Sequence, residues 1–212
     1  MADDKRLIWG IMEKFVPLPR SFFWPSAELV ARRLLGHFLV RQTLAGLGAA
    51  VIVETEAYLS EDPACHAAKG ETPRNRVMWG EHGRAYVYLI YGVHFCVNAV
   101  CRPKGIAEAV LIRAVAPVAG ERWMRERRPI ANAKDLTNGP AKLCVAMGIT
   151  REQDGTDLCD PGSSLVIARN RAARAFRELH GPIVARPRIG ISKATDLPLR
   201  FLLSRSEFTS RK

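Results

Sequence analysis

Three segments of the chain show the apolar spacing and the end residues of helices. Ala27–Leu35 has leucines at helical spacing, with Ser26 before it as a suitable N-cap and Gly36 after it as a suitable stop. Glu121–Arg128 and Gly139–Met147 have prolines at positions where a helix ends or begins. The pattern therefore predicts a few short helices. Long stretches without helical spacing of their apolar residues separate them.

The other apolar runs are short and bounded by turn formers, as strands are. They are His37–Gln42, Ala49–Tyr58, Ala85–Tyr91, Phe95–Cys101, Glu108–Val115, Leu165–Ala168 and Leu199–Leu203. Gly46 and Gly48 between the first two runs predict a hairpin, and Gly92 separates the third run from the fourth. Residues 59–82 hold few apolar residues and predict an ordered loop. Antiparallel strands with helices around them indicate an α+β fold.

No linker, repeat or low-complexity segment divides the sequence, so residues 1–212 are expected to form a single domain. Residues 1–20 are expected to be a loosely ordered N-terminal segment, and residues 206–212 a basic tail. The sequence has no apolar run of membrane-spanning length and no signal peptide at its start. We therefore expect a cytoplasmic protein without membrane contact. Its compactness also favours a bacterial protein, expected to be a monomer associated with the nucleoid.

The run that ends at Tyr58 places two carboxylates on one face. Because side chains alternate along a strand, one face carries Val51, Val53, Thr55 and Ala57, and the other carries Ile52, Glu54, Glu56 and Tyr58. Two carboxylates beside an aromatic ring do not form an apolar core. This second face is therefore either a surface in contact with water or one wall of a pocket.

All four tyrosines of the chain lie within 34 residues: Tyr58, Tyr86, Tyr88 and Tyr91. They could simply belong to a sheet core, since tyrosine favours strands. Tyr91, however, has the opposite parity to Tyr86 and Tyr88 and precedes Gly92, which permits a sharp bend. A rigid aromatic side chain on a turn can be inserted into a base stack. Tyr58 and Tyr88 could then stack on an extruded base.

The loop after Tyr58 contains one histidine and a basic turn. Arg74, Asn75 and Arg76 in that turn are suited to phosphate contact. His66 lies between the carboxylate strand and this turn, and it is either functional or an ordinary structural residue. No second histidine or cysteine stands at metal-ligand spacing, and the five cysteines are scattered. We therefore expect no metal site, no cofactor, no disulfide framework and a reducing compartment.

The charge of the chain favours a polyanionic partner. The sequence has 32 Lys and Arg against 21 Asp and Glu, a net charge of +11 and a pI near 9.9. Residues 161–212 alone contain eleven basic and three acidic residues. Each neutralised phosphate of a nucleic acid releases counterions, which makes such an excess favourable for binding. A solvated basic face, or a ribosome or membrane surface as partner, would give similar charge.

Several segments, in their order along the chain, together resemble the alkyladenine (3-methyladenine) DNA glycosylase family. They are Val53–Tyr58, His66, Thr72–Arg76, Tyr86–Gly92, Phe95–Asn98, Val110–Ala114, Asn138–Cys144, Arg188–Ile191 and Pro198–Phe201. The resemblance implies a single mixed domain around a curved antiparallel sheet flanked by helices, without a helix-hairpin-helix. It also implies a monofunctional enzyme that hydrolyses the N-glycosidic bond of alkylated or deaminated purines in double-stranded DNA.

The resemblance assigns roles to individual residues of this chain. Glu56 would be the general base that activates water, and Arg113 would help to hold that water or a flanking phosphate. Tyr58, His66 and Tyr88 would enclose the flipped base. Asn98 would lie on the pocket floor, where it clashes with the 2-amino group of guanine, and Leu111 would contact the substrate nearby. Tyr91 would fill the gap left in the duplex, and the remaining implied DNA contacts are Val93, His94, Arg74, Asn75, Arg76 and Lys142.

Three questions remain open at the level of sequence. Glu54 has the same parity as Glu56, so parity cannot choose the base, and only the resemblance and adjacency to Tyr58 favour Glu56. The catalytic strand contains no lysine, which favours a water-using enzyme over a Schiff-base lyase. A bifunctional lyase, or a non-catalytic protein that binds lesions or RNA, is the alternative. The substrate could be 3-methyladenine, 7-methylguanine, hypoxanthine or ethenoadenine.

Overall fold

The computed structural model describes residues 15–210, which form one curled antiparallel sheet with four helices around it. The strands are β1 Phe38–Thr43, β2 Gly46–Tyr58, β3 Ala85–Ile90, β4 His94–Cys101, β5 Glu108–Ala119, β6 Leu165–Ala168, β7 Ile183–Arg186 and β8 Arg200–Leu203. The helices are α1 Ala27–Leu34, α2 Glu121–Arg127, α3 Pro140–Met147 and α4 Ala173–Leu179. The predicted α+β fold is confirmed. Residues 1–14 of the predicted N-terminal segment and 211–212 of the predicted tail lie outside the described residues.

Strand β2 organises the sheet because it has three neighbours. One edge pairs with β5 over almost the whole length of β2. The other edge pairs first with β1, through Val51, and then with β8, from Glu54 to Glu56. The main strand order is β3-β4-β5-β2-β1-β6, and β8 and β7 form a second branch beside β2. The two carboxylates therefore lie in the middle of the sheet, with strands on both sides.

A bulge interrupts the alternation along β2 just before these carboxylates. Ile52 pairs with Val115 and Glu54 with Ala114, so Val53 is an extra residue on β2. Ile52 and Val53 both belong to the main hydrophobic core. The expectation that Ile52 shares the face of Glu54 is therefore wrong, because a bulge places two successive residues opposite one.

Helix α1 covers the face of β2 opposite to the carboxylates. The predicted N-cap is confirmed, since the Ser26 side chain accepts a hydrogen bond from the first turn of the helix. The Ala27 N–H donates to the buried Glu108 carboxylate at 2.8 Å, which supplies a negative charge at the helix N-terminus. The Thr55 hydroxyl donates to the Ala31 carbonyl at 3.0 Å. These contacts fix the helix against the strand that carries the site.

The predicted β1–β2 hairpin is present, but its turn is formed by Leu44 and Ala45 rather than by the glycines. Gly46 and Gly48 lie inside β2, beneath the indole ring of Trp123. A Cβ atom on Gly48 would lie 2.8 Å from that ring, closer than packed atoms approach. The glycines therefore make room for an aromatic ring from α2.

Two elements near the C-terminus were not predicted. Helix α4 has one buried residue, Ala173, and β7 has none. Neither carries the periodic apolar face on which a sequence prediction depends. Strand β5 also runs on to Ala119, beyond the predicted end at Val115. Residues 59–82 form a loop as predicted, with one short 3-10 turn at Arg76–Trp79.

The packing around β1 predicts a pH-dependent stability. Burial, together with Arg177 and Arg169, lowers the pKa of His37 to about 4. Between pH 6.5 and 4 the unfolded chain therefore binds a proton that the folded chain does not, so acid favours unfolding. From pH 7 to pH 4.5 we expect His37 to account for a loss of about 2 kcal/mol of stability. Urea unfolding at the two pH values measures this loss.

The control is His37→Asn, because Nδ1 of His37 accepts the Asn170 N–H at 3.1 Å and an asparagine oxygen can replace that acceptor. The variant should lose less stability than the wild type over the same pH interval. An equal loss in the two proteins would show that His37 does not cause it.

Candidate active site

The register of four adjacent strands places one row of polar and aromatic side chains across the sheet. Glu56 on β2 lies opposite Leu111 on β5, Leu111 lies opposite Asn98 on β4, and Asn98 lies opposite Tyr86 on β3. Directly opposed residues of antiparallel strands project to the same face. Residues that are far apart in sequence therefore form one continuous floor.

A cavity of about 320 Å³ lies on this floor. The residues predicted to bind the substrate all line it, and they are Tyr58, His66, Tyr88, Asn98 and Leu111. Tyr86, Arg113 and the loop at Ile189–Ile191 also line it. This volume is in the range of small-molecule sites, which are about 300–1,000 Å³. The structure thus brings the predicted pocket residues together around one aromatic-walled space.

Glu56 lies behind the wall of the cavity and is completely buried. Its Oε2 accepts the Tyr58 hydroxyl at 2.8 Å, and its Oε1 accepts the Ile189 backbone N–H at 2.8 Å. Nη1 of Arg113 lies 3.1 Å from the same Oε1. A carboxylate has about four acceptor positions, and these three contacts leave room for one more donor. Tyr58, Ile189 and Arg113 each border the cavity, so the carboxylate is one side chain away from it.

Glu54 is also completely buried, but its partners differ from those of Glu56. Its Oε1 accepts from Nε of Arg113 at 3.1 Å and from Nη1 of Arg200 at 3.0 Å. Ser210 donates to both of its oxygens. Arg113 lies next to both carboxylates, but the other partners of Glu54, Arg200 and Ser210, do not line the cavity, whereas Tyr58 and Ile189, the other partners of Glu56, do. This difference separates two carboxylates that strand parity left equivalent.

Arg113 joins the two carboxylates. The β2–β5 ladder has a second irregularity, because Glu54 pairs with Ala114 and the next residue, Thr55, pairs with Ile112. Arg113 is therefore an extra residue on β5 between these two pairs. Burial alone would lower the pKa of Arg113, but the carboxylates of Glu56 and Glu54 outweigh it and raise that pKa. The guanidinium therefore stays charged inside the sheet, next to the cavity.

The aromatic wall of the cavity is built around His66. Its Nδ1 lies 2.9 Å from the Tyr86 hydroxyl, and its ring meets the Tyr88 ring edge-on at 4.4 Å between centroids. Burial, with a contribution from Arg74, lowers the pKa of His66, so the imidazole is neutral at pH 7. One nitrogen is used by Tyr86, and the other remains for a ligand.

Asn98 and Tyr58 are held in position by contacts within the site. The Asn98 amide donates to the Tyr86 carbonyl at 3.0 Å, which sets the orientation of this buried side chain. Burial and the hydrogen bond to Glu56 raise the pKa of Tyr58, so its hydroxyl keeps its proton. The Arg188 guanidinium lies 4.7 Å from the centre of the Tyr58 ring.

Tyr91 projects from a tight turn at the mouth of the cavity. Tyr91 and Gly92 both have positive φ, 53° and 73°, and the Val93 N–H closes the turn onto the Ile90 carbonyl at 3.3 Å. Because Ile90 pairs with His94, these residues form a three-residue hairpin loop in which the chain reverses sharply. The Tyr91 side chain is 81% exposed and Val93 is 70% exposed. His94 follows at the start of β4 and is exposed as well.

The basic turn of Arg74, Asn75 and Arg76 has two exposed arginines on either side of a buried asparagine. Arg74 lines the cavity and donates to the Leu89 carbonyl at 2.9 Å, and Arg76 is exposed beside Glu71. Asn75 is buried, and its amide donates to the carbonyls of His66 and Gly70, at 2.9 and 3.0 Å. Asn75 therefore holds the loop together and does not reach the surface, contrary to the expected phosphate contact.

Lys142 lies on the first turn of α3, next to Pro140 and Ala141, which line the cavity. Its Nζ donates to Asn138 at 2.7 Å and lies 3.8 Å from Asp135. The side chain is partly exposed and is not among the residues that line the cavity.

The sequence predicts no site residue in the loop at Arg188–Ile189. In the structure this loop contacts Glu56 directly, through the Ile189 N–H. Arg188 forms a buried bidentate ion pair with Asp62, which fixes this loop against the loop that carries His66. A backbone donor carries no side-chain signal, so only its position in a family motif could have indicated it.

Other features of the described part of the chain bear on function only in a general way. Within residues 15–210, no group of three or more histidine, cysteine, aspartate or glutamate side chains is arranged to hold a metal ion. None of the described helices is long and apolar enough to cross a membrane. The five cysteines are free, and all except Cys159 are buried.

Comparison with known proteins identifies the family of the chain. Residues 21–207 match the model of the methylpurine-DNA glycosylase (MPG) family. A protein of Methanocella arvoryzae is 49% identical over 86% of this chain and 88% of its own. One of Agrobacterium fabrum is 46% identical over 94% and 96%, and one of Koribacter versatilis is 41% identical over 95% and 96%. All three bear the name 3-methyladenine DNA glycosylase. The chain belongs to the methylpurine-DNA glycosylase family.

Proposed function

We propose that this protein is a monofunctional DNA glycosylase that flips alkylated or deaminated purines out of duplex DNA. It then hydrolyses their N-glycosidic bond with an activated water. The observation that carries the proposal is the pairing of Glu56 with Arg113 directly behind an aromatic cavity. The family and the names of the relatives support a 3-methyladenine DNA glycosylase activity.

Access to the target bond requires that the nucleotide leave the base stack, at a cost of a few kcal/mol. The exposed ring of Tyr91 stands at the cavity mouth and would occupy the vacated space in the duplex. Val93 and His94 would lie against the neighbouring base pairs. Arg74 lines the cavity, and it would contact phosphates together with Arg76 of the same turn and Lys142 of α3.

The flipped base would be enclosed by Tyr58 on one side and by His66 and Tyr88 on the other. Stacking on such rings stabilises a base by about 1–3 kcal/mol. Neutral His66 can offer a hydrogen bond to the base through the nitrogen that Tyr86 does not use. Asn98 and Leu111 on the floor would exclude the 2-amino group of guanine by steric clash.

Cleavage would proceed through an oxocarbenium-like sugar. A water bound at the remaining acceptor position of Glu56 gives its proton to the carboxylate and its oxygen to C1′. The C1′–N bond breaks, and its electron pair leaves with the purine. Arg113 lies 3.1 Å from Glu56 and lines the cavity, so it can hold the carboxylate in place and also contact the water or a flanking phosphate. A cationic alkylated base leaves as a neutral one, which makes the step easier.

Glu56→Gln tests the general base. The amide keeps the shape of the side chain but cannot take the proton of water, so we expect base release to slow by about 100-fold or more. Binding to lesion DNA should persist. The measurement is single-turnover release of hypoxanthine from a duplex, together with the Kd for the same duplex.

The control variant is Glu61→Gln, which removes an exposed carboxylate from the neighbouring loop. It should excise at the wild-type rate. Wild-type excision by Glu56→Gln would contradict the assignment of the base. A wild-type protein that releases none of the four candidate bases would favour the non-catalytic alternative.

Tyr91→Ala tests the wedge. Loss of the ring should weaken lesion binding by about tenfold, because a stacked aromatic contributes about 1–3 kcal/mol. The fluorescence of a flipped ethenoadenine should fall with it. Tyr91→Phe keeps the ring and should behave as the wild type. Unchanged fluorescence in the alanine variant would remove Tyr91 from this role.

The bifunctional alternative makes a different prediction. A lyase needs an amine that attacks C1′, and the described residues that line the cavity include no lysine. Borohydride added during turnover should therefore trap no covalent protein–DNA adduct. A trapped adduct would replace the water mechanism with a Schiff-base mechanism.

A further inference from the structure

The segment after β8 returns to the middle of the sheet instead of leaving it. Phe208 packs against the main core, and Glu207 forms an ion pair with Lys134 at 2.7 Å. Ser210, the last described residue, thereby reaches Glu54, which is 156 positions earlier in the chain. The family match ends at residue 207, so Ser210 lies beyond the matched region.

Ser210 binds Glu54 through both its backbone and its side chain. Its N–H donates to Oε2 at 2.6 Å, and its hydroxyl donates to Oε1 at 2.6 Å. The same hydroxyl lies 3.4 Å from Nη2 of Arg113, from which it accepts. A hydroxyl is the side-chain group that can donate to a carboxylate and accept from a guanidinium at the same time.

Each guanidinium nitrogen of Arg113 thus has its own partner. Nε donates to Glu54 at 3.1 Å, Nη1 lies 3.1 Å from Glu56, and Nη2 donates to the Ser210 hydroxyl at 3.4 Å. Three separate contacts define both the plane of the guanidinium and its rotation within that plane. The Nη1 that faces Glu56 is therefore directed by the two contacts on the other nitrogens.

Arg200 completes the arrangement. It binds Glu54 at 3.0 Å and also donates to the Pro187 carbonyl at 2.8 Å. Arg200 compensates part of the negative charge of Glu54. The positive charge of Arg113 can therefore also stabilise the carboxylate of Glu56. Buried ion pairs contribute little net stability compared with apolar packing, so stability alone does not explain so many buried charges beside the site.

We propose that Ser210 is a positioning residue for the reaction, and that it acts through Glu54 and Arg113 to orient the carboxylate of Glu56. The inference rests on the proposed role of Glu56. The C-terminal segment is then part of the active site, although it touches neither the cavity nor the substrate. Loss of the hydroxyl would leave Nη2 of Arg113 without this acceptor and allow the guanidinium to turn away from Glu56.

The test compares Ser210→Ala, Ser210→Thr and Thr209→Ala. The Thr209 hydroxyl donates to the Ser206 carbonyl at 3.2 Å, so its loss removes a hydrogen bond of the same segment without touching Glu54. Single-turnover release of hypoxanthine, the Kd for the lesion duplex and the Tm are measured for each protein.

Ser210→Ala should release the base about tenfold more slowly, as expected for loss of a hydrogen bond to a charged group. Its Kd should stay within about twofold of the wild type, because Tyr91 and the cavity rim are unchanged. Ser210→Thr should recover most of the rate, and Thr209→Ala should match the wild type in rate.

Three results would overturn the proposal: a wild-type rate in Ser210→Ala, an equal loss of rate in Thr209→Ala, or a threonine variant as slow as the alanine variant. A second readout is independent of excision. The Nε–H of Arg113, identified in NMR spectra by its absence in Arg113→Lys, should exchange slowly with water in the wild type and faster in Ser210→Ala. An unchanged exchange rate would also overturn the proposal.

The two proposals can fail separately. If the wild type released none of the candidate bases, the glycosylase mechanism would be wrong. The rate at which the Arg113 Nε–H exchanges with water would still decide whether Ser210 orients the guanidinium of Arg113.

Discussion

The structure depends on one arginine that lies between two buried carboxylates. Arg113 contacts Glu54 and Glu56 in the middle of an eight-stranded sheet, where both carboxylates are completely excluded from solvent. Charges buried in this way are tolerated only with close partners and further hydrogen bonds. Arg200 from β8 and the backbone of Ile189 and Ser210 supply those further contacts. The branch of the sheet in which β8 pairs with β2 therefore supplies Arg200, one of the positive charges that compensate the buried carboxylates.

This arrangement separates two environments on one face of the sheet. The charges lie behind the wall, and the aromatic cavity lies in front of it, with Tyr58 and Arg113 between them. The cavity thus offers neutral rings, while the carboxylate behind them is held in place by its own contacts. The turn that carries Tyr91, to which the wedge role is assigned by proposal, is exposed and takes no part in these ion pairs.

Much of the fold followed from local pattern. Alternation and turn formers predicted most strands within a few residues, and capping predicted α1 at Ser26. The failures have physical causes. The bulge at Val53 has no local signal, and α4 and β7 bury too little to show a period. The glycines of the first hairpin resemble turn residues in the sequence, because the Trp123 ring that packs against them lies far away along the chain.

By itself the sequence determined the class of site. Two carboxylates and a tyrosine in one strand, a tyrosine before glycine at a bend, and a set of ordered motifs are local features, and they led to the family. Only the tertiary structure decided which carboxylate contacts the cavity wall, why Asn75 is internal, and that Ile189 binds Glu56 while Arg200 and Ser210 bind Glu54. The contacts of Ile189, Arg200 and Ser210 join residues more than one hundred positions apart, which strand register and chain reversal create. Those of Asn75 lie within its own loop, where the sequence shows no regular pattern.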